Sequence, residues 1–362
     1  MTTRGELRVV DARDPGERAE WIARWSEWPG REVFAHPAYV ALEANEETTR
    51  ARAALFHVDG ATVLYPFLQR RLDNEQQSGA ASPHAACDIT APYGYGGAFV
   101  WGDVIDRHPT QRGAVAELFW RAFDEWASGE GVVSEFVRFS LFADTLLPYH
   151  GEVEERLSNV VRDLSLPLEA IWMDVEHKVR KNVKKAQRSG IEIVHDDGER
   201  LDDFLAIYRH TMDRRDALDR YYFPREYFEQ LNATLRGQYA YFHALLDGRV
   251  VSTELVLVSA DRVYSFLGGT SDDAFEHRPN DLLKYAVIEW AKREGKRHFV
   301  LGGGYQPGDG IFRYKRAFAP TGEMPFSVGR RILDPDMYAR LVAARSATGD
   351  APRAGFFPAY RG

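Results

Sequence analysis

The sequence holds one cysteine, Cys87, in 362 residues. A single thiol excludes an intrachain disulfide framework and fits a reducing compartment. Long apolar runs are missing as well. No stretch approaches the roughly 18 consecutive apolar residues of a membrane span. The opening run MTTRGELRVVDARD has no apolar core of signal-peptide length. The expectation is a cytoplasmic chain without a membrane span. The eleven histidines lack the close Cys/His/Asp spacing of a zinc site, so no metal is expected. There is no nucleophile elbow, Walker loop or dinucleotide fingerprint. GGGYQPGDG lacks the Lys-Ser/Thr ending of a phosphate loop. Net positive charge is absent too. At −8 the chain disfavours polyanions unless basic residues cluster locally, and DNA is not an expected partner.

What is present is ample core material: 44% hydrophobic and 13% aromatic residues, in a length that favours two domains. Leu7–Asp11 reads as a strand, and Pro15–Trp28 as a helix with Trp21, Ile22, Trp25 and Trp28 on one face. A second helix follows Pro37. Ala53–Val58 and Val63–Leu68 read as a hairpin around Asp59-Gly60. Leu72–Ala86 reads as a loop, His108–Ala127 as an amphipathic helix, and Val132–Ser140 and Val160–Leu168 as strands. Leu201–Arg215 and Pro224–Leu235 read as helices.

The C-terminal part organises the rest. Strand Val250–Ser259 is apolar on both faces and is expected to be central in its sheet. The helix Asn280–Glu294 follows Pro279, with Asn280 as its cap and Gly295 as its stop. His298–Leu301 is a short strand broken by Gly302-Gly303-Gly304, and Ile311–Phe318 is a short basic helix. MPFSVGRRIL reads as a further strand and Pro335 to about Arg345 as a helix. Ser346–Gly362 reads as a poorly ordered tail.

The two halves resemble each other. FHVDG followed by VLYPFL parallels HALLDG followed by VVSTELVLV. Tyr95-Gly96-Gly97 parallels Leu267-Gly268-Gly269. Trp126-Ala127 and Gly131 before a strand parallel Trp290-Ala291 and Gly295. This reads as a tandem duplication of one α/β unit, a mixed sheet with helices on its faces.

HKVRKNVKKAQRSG is the most charged stretch. On a helical wheel Lys178, Arg180, Lys181, Lys184, Lys185 and Arg188 fall within an arc of about 160°, opposite Val179, Val183 and Ala186. One reading is phosphate binding, by RNA or a diphosphate-linked substrate; the other is an ordinary solvated face. Glu254 interrupts the apolar strand. A desolvated carboxylate there suits a general base; the other readings are a buried glutamate paired with an arginine, or a strand end near water. Lys315 in FRYKRAF could stabilise an oxyanion or bind phosphate, and the glycines before it allow close backbone approach to a ligand.

Taken together, VRKNVKKAQRSGIEI, DGRVVSTELVLV, PNDLLKYAVIEWAKREGKRHFVLGGG and DGIFRYKRAF resemble the Fem family of aminoacyl-tRNA-dependent peptidyltransferases. The resemblance spans roughly Val160–Phe326 and reaches the first half through APYGYGGAF. It implies an α/β fold of two tandem GNAT-like (acyl-CoA N-acyltransferase-like) domains. The expected bounds are 1–162 and 163–324, with 325–345 packing back on the first domain and 346–362 as the tail. It also implies transfer of an amino acid from its tRNA ester to a small-molecule or peptide amine, without a bound cofactor. By similarity Lys315 lies near the tRNA 3′ end and the developing oxyanion, with Gly303, Gly304, Tyr305 and Tyr314 beside the substrate. Arg180 and Lys181 belong to the segment linked with RNA contact, and Tyr93 and Tyr95 lie by the acceptor cleft. The long helical arm of some relatives has no room here.

The alternative donor is acyl-CoA, gripped in acetyltransferases of this fold by a Gln/Arg-x-x-Gly-x-Gly/Ala turn at a helix N-terminus. Neither half has that turn. The second half has Thr270–Glu276 there, with three carboxylates that would repel a diphosphate. A third reading is a non-catalytic protein that binds RNA or a cell-wall precursor. Glu254 is the candidate base; otherwise the substrate itself carries the proton.

Overall fold

The computed structural model describes residues 5–45, 47–72, 86–347, 353 and 355–362. The chain forms two compact units, Met1–Arg156 with Phe326–Gly362, and Leu157–Pro325. The first break falls six residues before the expected 162/163, because the following strand carries Val160–Asp163 into the second unit's sheet.

In chain order the first part runs β1 (Glu6–Asp11), α1 (Pro15–Glu27), α2 (Pro37–Ala41), β2 (Thr49–Val58), β3 (Ala61–Arg71), β4 (Cys87–Thr90), β5 (Phe99–Trp101), α3 (Asp103–Arg107), α4 (Arg112–Gly129) and β6 (Val132–Arg138). Next come β7 (Glu152–Asp163), α5 (Leu168–Asp174), α6 (His177–Arg188), β8 (Glu192–Asp196), α7 (Leu201–Arg214) and α8 (Arg225–Thr234). The chain continues through β9 (Tyr239–Leu246), β10 (Arg249–Val258), β11 (Arg262–Thr270), α9 (Pro279–Arg293), β12 (His298–Gly302), α10 (Gly310–Arg316), β13 (Glu323–Ile332) and α11 (Pro335–Ala347).

The first unit orders its strands β1-β2-β3-β4-β6-β13, with β5 also on β3. The second orders β8-β9-β10-β11-β12-β7. The pairing senses match: a central hairpin, then an antiparallel neighbour, one parallel pair, and an antiparallel last strand. Both hairpins turn on Asp-Gly with positive φ, 48° and 80° at Asp59-Gly60 and 51° and 77° at Asp247-Gly248. Such turns carry the twist that a two-residue hairpin needs, and few residues other than Asn, Asp and Gly accept them. The helices α4 and α9 both stop before a glycine at φ 71°, Gly131 and Gly295. The duplication is therefore physical as well as textual.

Alternation along the strands places the cores. In the first unit Ala53, Leu55 and Leu64 face Trp21, Trp25 and Trp28, while Ala54, Phe56, Val63 and Tyr65 face Phe119, Trp120 and Phe123 of α4. Trp21 and Trp25 donate their ring N–H to Ala35 O at 2.9 Å and Glu32 O at 2.7 Å, so neither buries an unpaired donor. In the second unit the apolar strip Val179, Val183 and Ala186 of α6 packs with Leu282, Leu283, Val287 and Ile288 of α9 on one face of the sheet. On the other face α7 lies against β10 and β11.

Several expectations fail. The strand expected over Val160–Leu168 ends at Asp163, and α5 follows it unforeseen. Asn280 does not cap α9. The cap position is Arg278, in the left-handed region at φ 60°, and Asn280 already lies inside the helix. The tail expectation fails over 355–362: Tyr360 is buried, bonded to Ser134 Oγ at 2.7 Å and Asp88 Oδ2 at 3.1 Å, and Arg361 pairs with Asp88. Residues 348–352 and 354 of that tail, and 73–85 of the expected loop, lie outside the described residues. Among the described residues no helix is long and apolar enough to cross a membrane.

Candidate active site

In the second unit the strands β11 and β12 run parallel but pair only at Arg262↔His298, Val263↔Phe299 and Tyr264↔Val300. Past these residues each keeps its outer neighbour: β11 stays on β10 as far as Ser252↔Thr270, and β12 stays on β7 as far as Gly302↔Val160. Among the described residues no pairing joins the two strands beyond Tyr264 and Val300. The sheet forks there. Ser265–Gly269, on the inner edge of one branch, are only half-buried although the strand is central.

Lys315 of α10 reaches the other branch. Its Nζ donates to Gly303 O at 2.7 Å. Gly302 has φ 82°, and a Cβ there would stand 3.1 Å from Lys315 Nζ, so a side chain at this position would crowd the lysine. Burial, with the like charge of Lys284, lowers the Lys315 ammonium to about 8, against the opposing pull of Glu254 and Asp309. Asp309 was not foreseen. Its carboxylate accepts from Phe312 N at 2.7 Å, capping α10, and from Tyr305 N at 2.7 Å and Gln306 N at 3.2 Å. One side chain thus anchors the glycine loop to the helix that carries Lys315. The sequence signal was an acidic residue three before Phe312, at the start of a helical run.

Glu254 and Lys284 meet at the apex of the fork, both nearly buried at 3% and 6% exposure. Lys284 Nζ donates to Glu254 Oε1 at 2.5 Å and to Ser265 Oγ at 3.0 Å, and lies 5.6 Å from the centre of the Phe299 ring. Ser265 is the first residue of β11 beyond the paired stretch. The arginine considered as a partner for Glu254 is not what the structure supplies: one of its oxygens pairs with a lysine, Lys284.

The other expected residues divide. Lys178, Lys181, Lys184, Lys185 and Arg188 are exposed on α6, with Lys184 Nζ 6.0 Å from the Trp172 ring centre. Arg180 is a correction. Its Nη1 donates to Met173 O at 2.7 Å, to Trp172 O at 3.3 Å and to Val175 O. It caps the orphan carbonyls of α5 instead of presenting its charge to phosphate. Tyr314 is a second correction. Its hydroxyl accepts from Asn280 Nδ2 at 2.8 Å and donates to Asn280 O at 3.3 Å, which ties it to α9 rather than to a substrate. Tyr305 is 65% exposed beside the loop, while Gly303 and Gly304 line it. A Cβ on Gly304 would stand 2.5 Å from Asp309 Oδ1.

Tyr93 and Tyr95 lie in the first unit. Tyr93 is exposed, and its backbone is clamped by Tyr39 Oη at 2.8 Å and Glu43 Oε1 at 2.6 Å. Burial pushes the Glu43 carboxyl up to about 7, against the Tyr93 N–H and the Arg138 charge. Tyr95 packs edge-on to Phe34 and Phe326. Sequence reasoning passed over Glu43, which has no local signal.

All eight lysines of the chain fall between Lys178 and Lys315. Four sit on α6 and two at the fork. Lys292 and Lys296 donate to carbonyls of Leu164, Ser165, Ser259 and Ala260. Among the described residues no cluster of His, Cys, Asp and Glu has a geometry that could hold a metal.

Residues 174–316 match the family model described as acetyltransferase (GNAT) domain, so the second unit carries that domain. Over the whole chain the fold is the Fem-like tandem GNAT fold. It is similar to a crystal structure of FemX, with TM-score 0.65 and 13% identity over 89% of this chain and 97% of that one. It is also similar to the structure of L-PGS from Bacillus licheniformis (TM-score 0.53, 13% identity, 91% and 96% covered). The C-terminal domain of a putative lysylphosphatidylglycerol synthetase from Agrobacterium fabrum is a third (TM-score 0.52, 13% identity, 91% and 96% covered). No curated protein matches the chain in sequence.

Proposed function

We propose that the protein is an acyltransferase that moves an aminoacyl group from aminoacyl-tRNA to an amine of a small-molecule or peptide acceptor. The observation that carries this reading is the α9 N-terminus, where an acetyltransferase of this fold would hold the CoA diphosphate. Pro279 occupies the first helical position and has no N–H to offer. The preceding turn exposes Asp272, Asp273 and Glu276. His210 and Arg249 offset two of these carboxylates by pairing with them and are thereby occupied. An anion gains little at such a helix start. The dense exposed charge is on α6, whose Lys178, Lys181, Lys185 and Arg188 suit a phosphodiester backbone.

In the reaction the amine nitrogen bonds to the ester carbonyl carbon and the ester C–O bond breaks. The proton lost by the amine ends on the ribose oxygen that leaves. Lys315, held at the fork by Gly303 O, is the donor toward the carbonyl oxygen as it becomes negative. An ammonium has three protons, and this contact uses one of them. Glu254 has one oxygen occupied by Lys284, so it is poorly placed as a free base, and the substrate carries the proton.

The test is binding of bulk aminoacylated tRNA and, separately, of acetyl-CoA at two salt concentrations. Micromolar tRNA binding that weakens with salt, and falls further in Lys181→Glu/Lys185→Glu, supports the reading. Tight acetyl-CoA binding without tRNA binding replaces it with an acyl-CoA N-acyltransferase, the activity that the domain match also fits.

A further inference from the structure

Glu254 has two carboxylate oxygens in different situations. Oε1 takes the Lys284 ammonium at 2.5 Å, while among the described residues no group donates to Oε2, although the residue is 3% exposed. A buried carboxylate oxygen without a donor is costly, so a fold that keeps one invites a ligand to satisfy it. Its place narrows the choice. Glu254 sits opposite Gly268 on β11, the branch of the fork whose inner edge β12 does not cover. Gly268 has no side chain to fill that space. A Cβ there would lie 2.5 Å from Thr253 O and 3.5 Å from Glu254 Cβ, so only glycine keeps β11 this close to β10. Lys284 bridges Glu254 to Ser265 at the apex, and Lys315 holds the opposite branch.

Resting on the aminoacyl-transfer reading above, we infer that Glu254 Oε2 receives the α-ammonium group of the aminoacyl donor and so selects aminoacyl over simple acyl donors. The α-nitrogen of an aminoacyl ester lies two bonds from the carbonyl carbon. A group that reads it must share one crevice with the group that faces the carbonyl oxygen, and Glu254 and Lys315 share the fork. The carboxylate then bridges two ammonium groups, one from Lys284 and one from the donor, each on its own oxygen. The pairing also keeps the donor nitrogen protonated, so it cannot compete as a nucleophile with the acceptor amine. An acyl thioester without an α-nitrogen leaves Oε2 unpaired, and the penalty falls on the wrong substrate.

The probes are two stable adenosine amides, 3′-deoxy-3′-(L-alanylamino)adenosine and its des-amino counterpart, 3′-deoxy-3′-(propionylamino)adenosine. They differ only in the α-nitrogen. Their affinities are measured by calorimetry on the full chain. The wild type is expected to prefer the alanyl amide by about 10- to 100-fold, the range of a hydrogen bond to a charged group. Glu254→Gln is expected to lose that preference while binding the propionyl amide as before. Removing Glu254 alone strands the Lys284 charge, so Glu254→Gln/Lys284→Met, which deletes both charges, is the second variant. It too should bind the two amides alike. Equal affinities in the wild type, with both amides bound, overturn the inference and leave the aminoacyl reading standing. A preference that survives in both variants overturns it as well. Failure of both amides to bind a folded wild type overturns the inference together with the reading it rests on.

Discussion

The two units share a strand order and pairing sense, and the difference that bears on the site is in the parallel pair. In the first unit the pair β4–β6 stays closed. After Thr90↔Phe136 it resumes through Ala91 N to Phe136 O at 2.8 Å, then Gly96 N to Arg138 O at 2.7 Å and Ser140 N to Gly96 O at 2.8 Å. In the second unit the pair β11–β12 opens after three residue pairs. Each unit also buries a carboxylate, and the same contrast holds. Glu135 is fully engaged: Tyr65 and Tyr149 hydroxyls donate to it and Arg331 Nε pairs with it at 2.8 Å. Glu254 is half engaged. A buried charge whose partners are all internal is architecture; one whose partners stop halfway, beside an open strand edge, belongs to a site.

The largest effect should come from breaking the closed side. Arg331→Ala leaves Glu135 and Asp124 without their cation and should cost roughly 3–5 kcal/mol of stability. Denaturant midpoints measure this, and the specific activity of the folded fraction should be unchanged. Comparable loss of activity in folded protein would erase the contrast between the units. Lys315→Ala is the reciprocal change. It should lower kcat by about 10²–10³, the effect of removing one oxyanion donor, with little change in midpoint.

Asp309→Ala comes next. Losing the α10 cap should lower the denaturant midpoint slightly, and the freed glycine loop should slow the reaction less than Lys315→Ala does. The smallest effect is with pH. The Lys315 ammonium is lowered from 10.5 to about 8. A donor role requires the charged form, so the rate should fall as pH rises through about 8, and Lys315→Arg should move that limb to higher pH. Stability has the opposite sign. The unfolded chain binds the proton more tightly, so this group's penalty is present below about 8 and relieved as pH climbs from there to 10.5. A rate that rises through 8 would instead make Lys315 a base.

The legible parts of the sequence were those governed by local rules. Asp59-Gly60 and Asp247-Gly248 announce hairpins because so few residues accept their backbone. The face Val179, Val183 and Ala186 announces a buried strip because helical spacing is regular. The fork left no trace, since it consists of pairing that fails to occur. Lys284 meets Glu254 from thirty residues away, and nothing near either residue signals the meeting. Arg180 was misread because a helical wheel shows which side a residue is on and not that a neighbouring helix ends beneath it. The tail misled by composition: Gly, Ala and Pro suggested disorder, while Tyr360 finds Ser134 and Asp88 more than two hundred residues back.

The place of β13 bears on how the protein is made. The outer edge of β6 is covered by a strand that leaves the ribosome only after the whole second unit, with Val328 pairing to Arg138. At ordinary rates of synthesis the intervening stretch of about 190 residues takes roughly 10–40 s, during which that edge is bare. The contiguous second unit can close while it waits. The half translated first is then the half whose sheet is completed last.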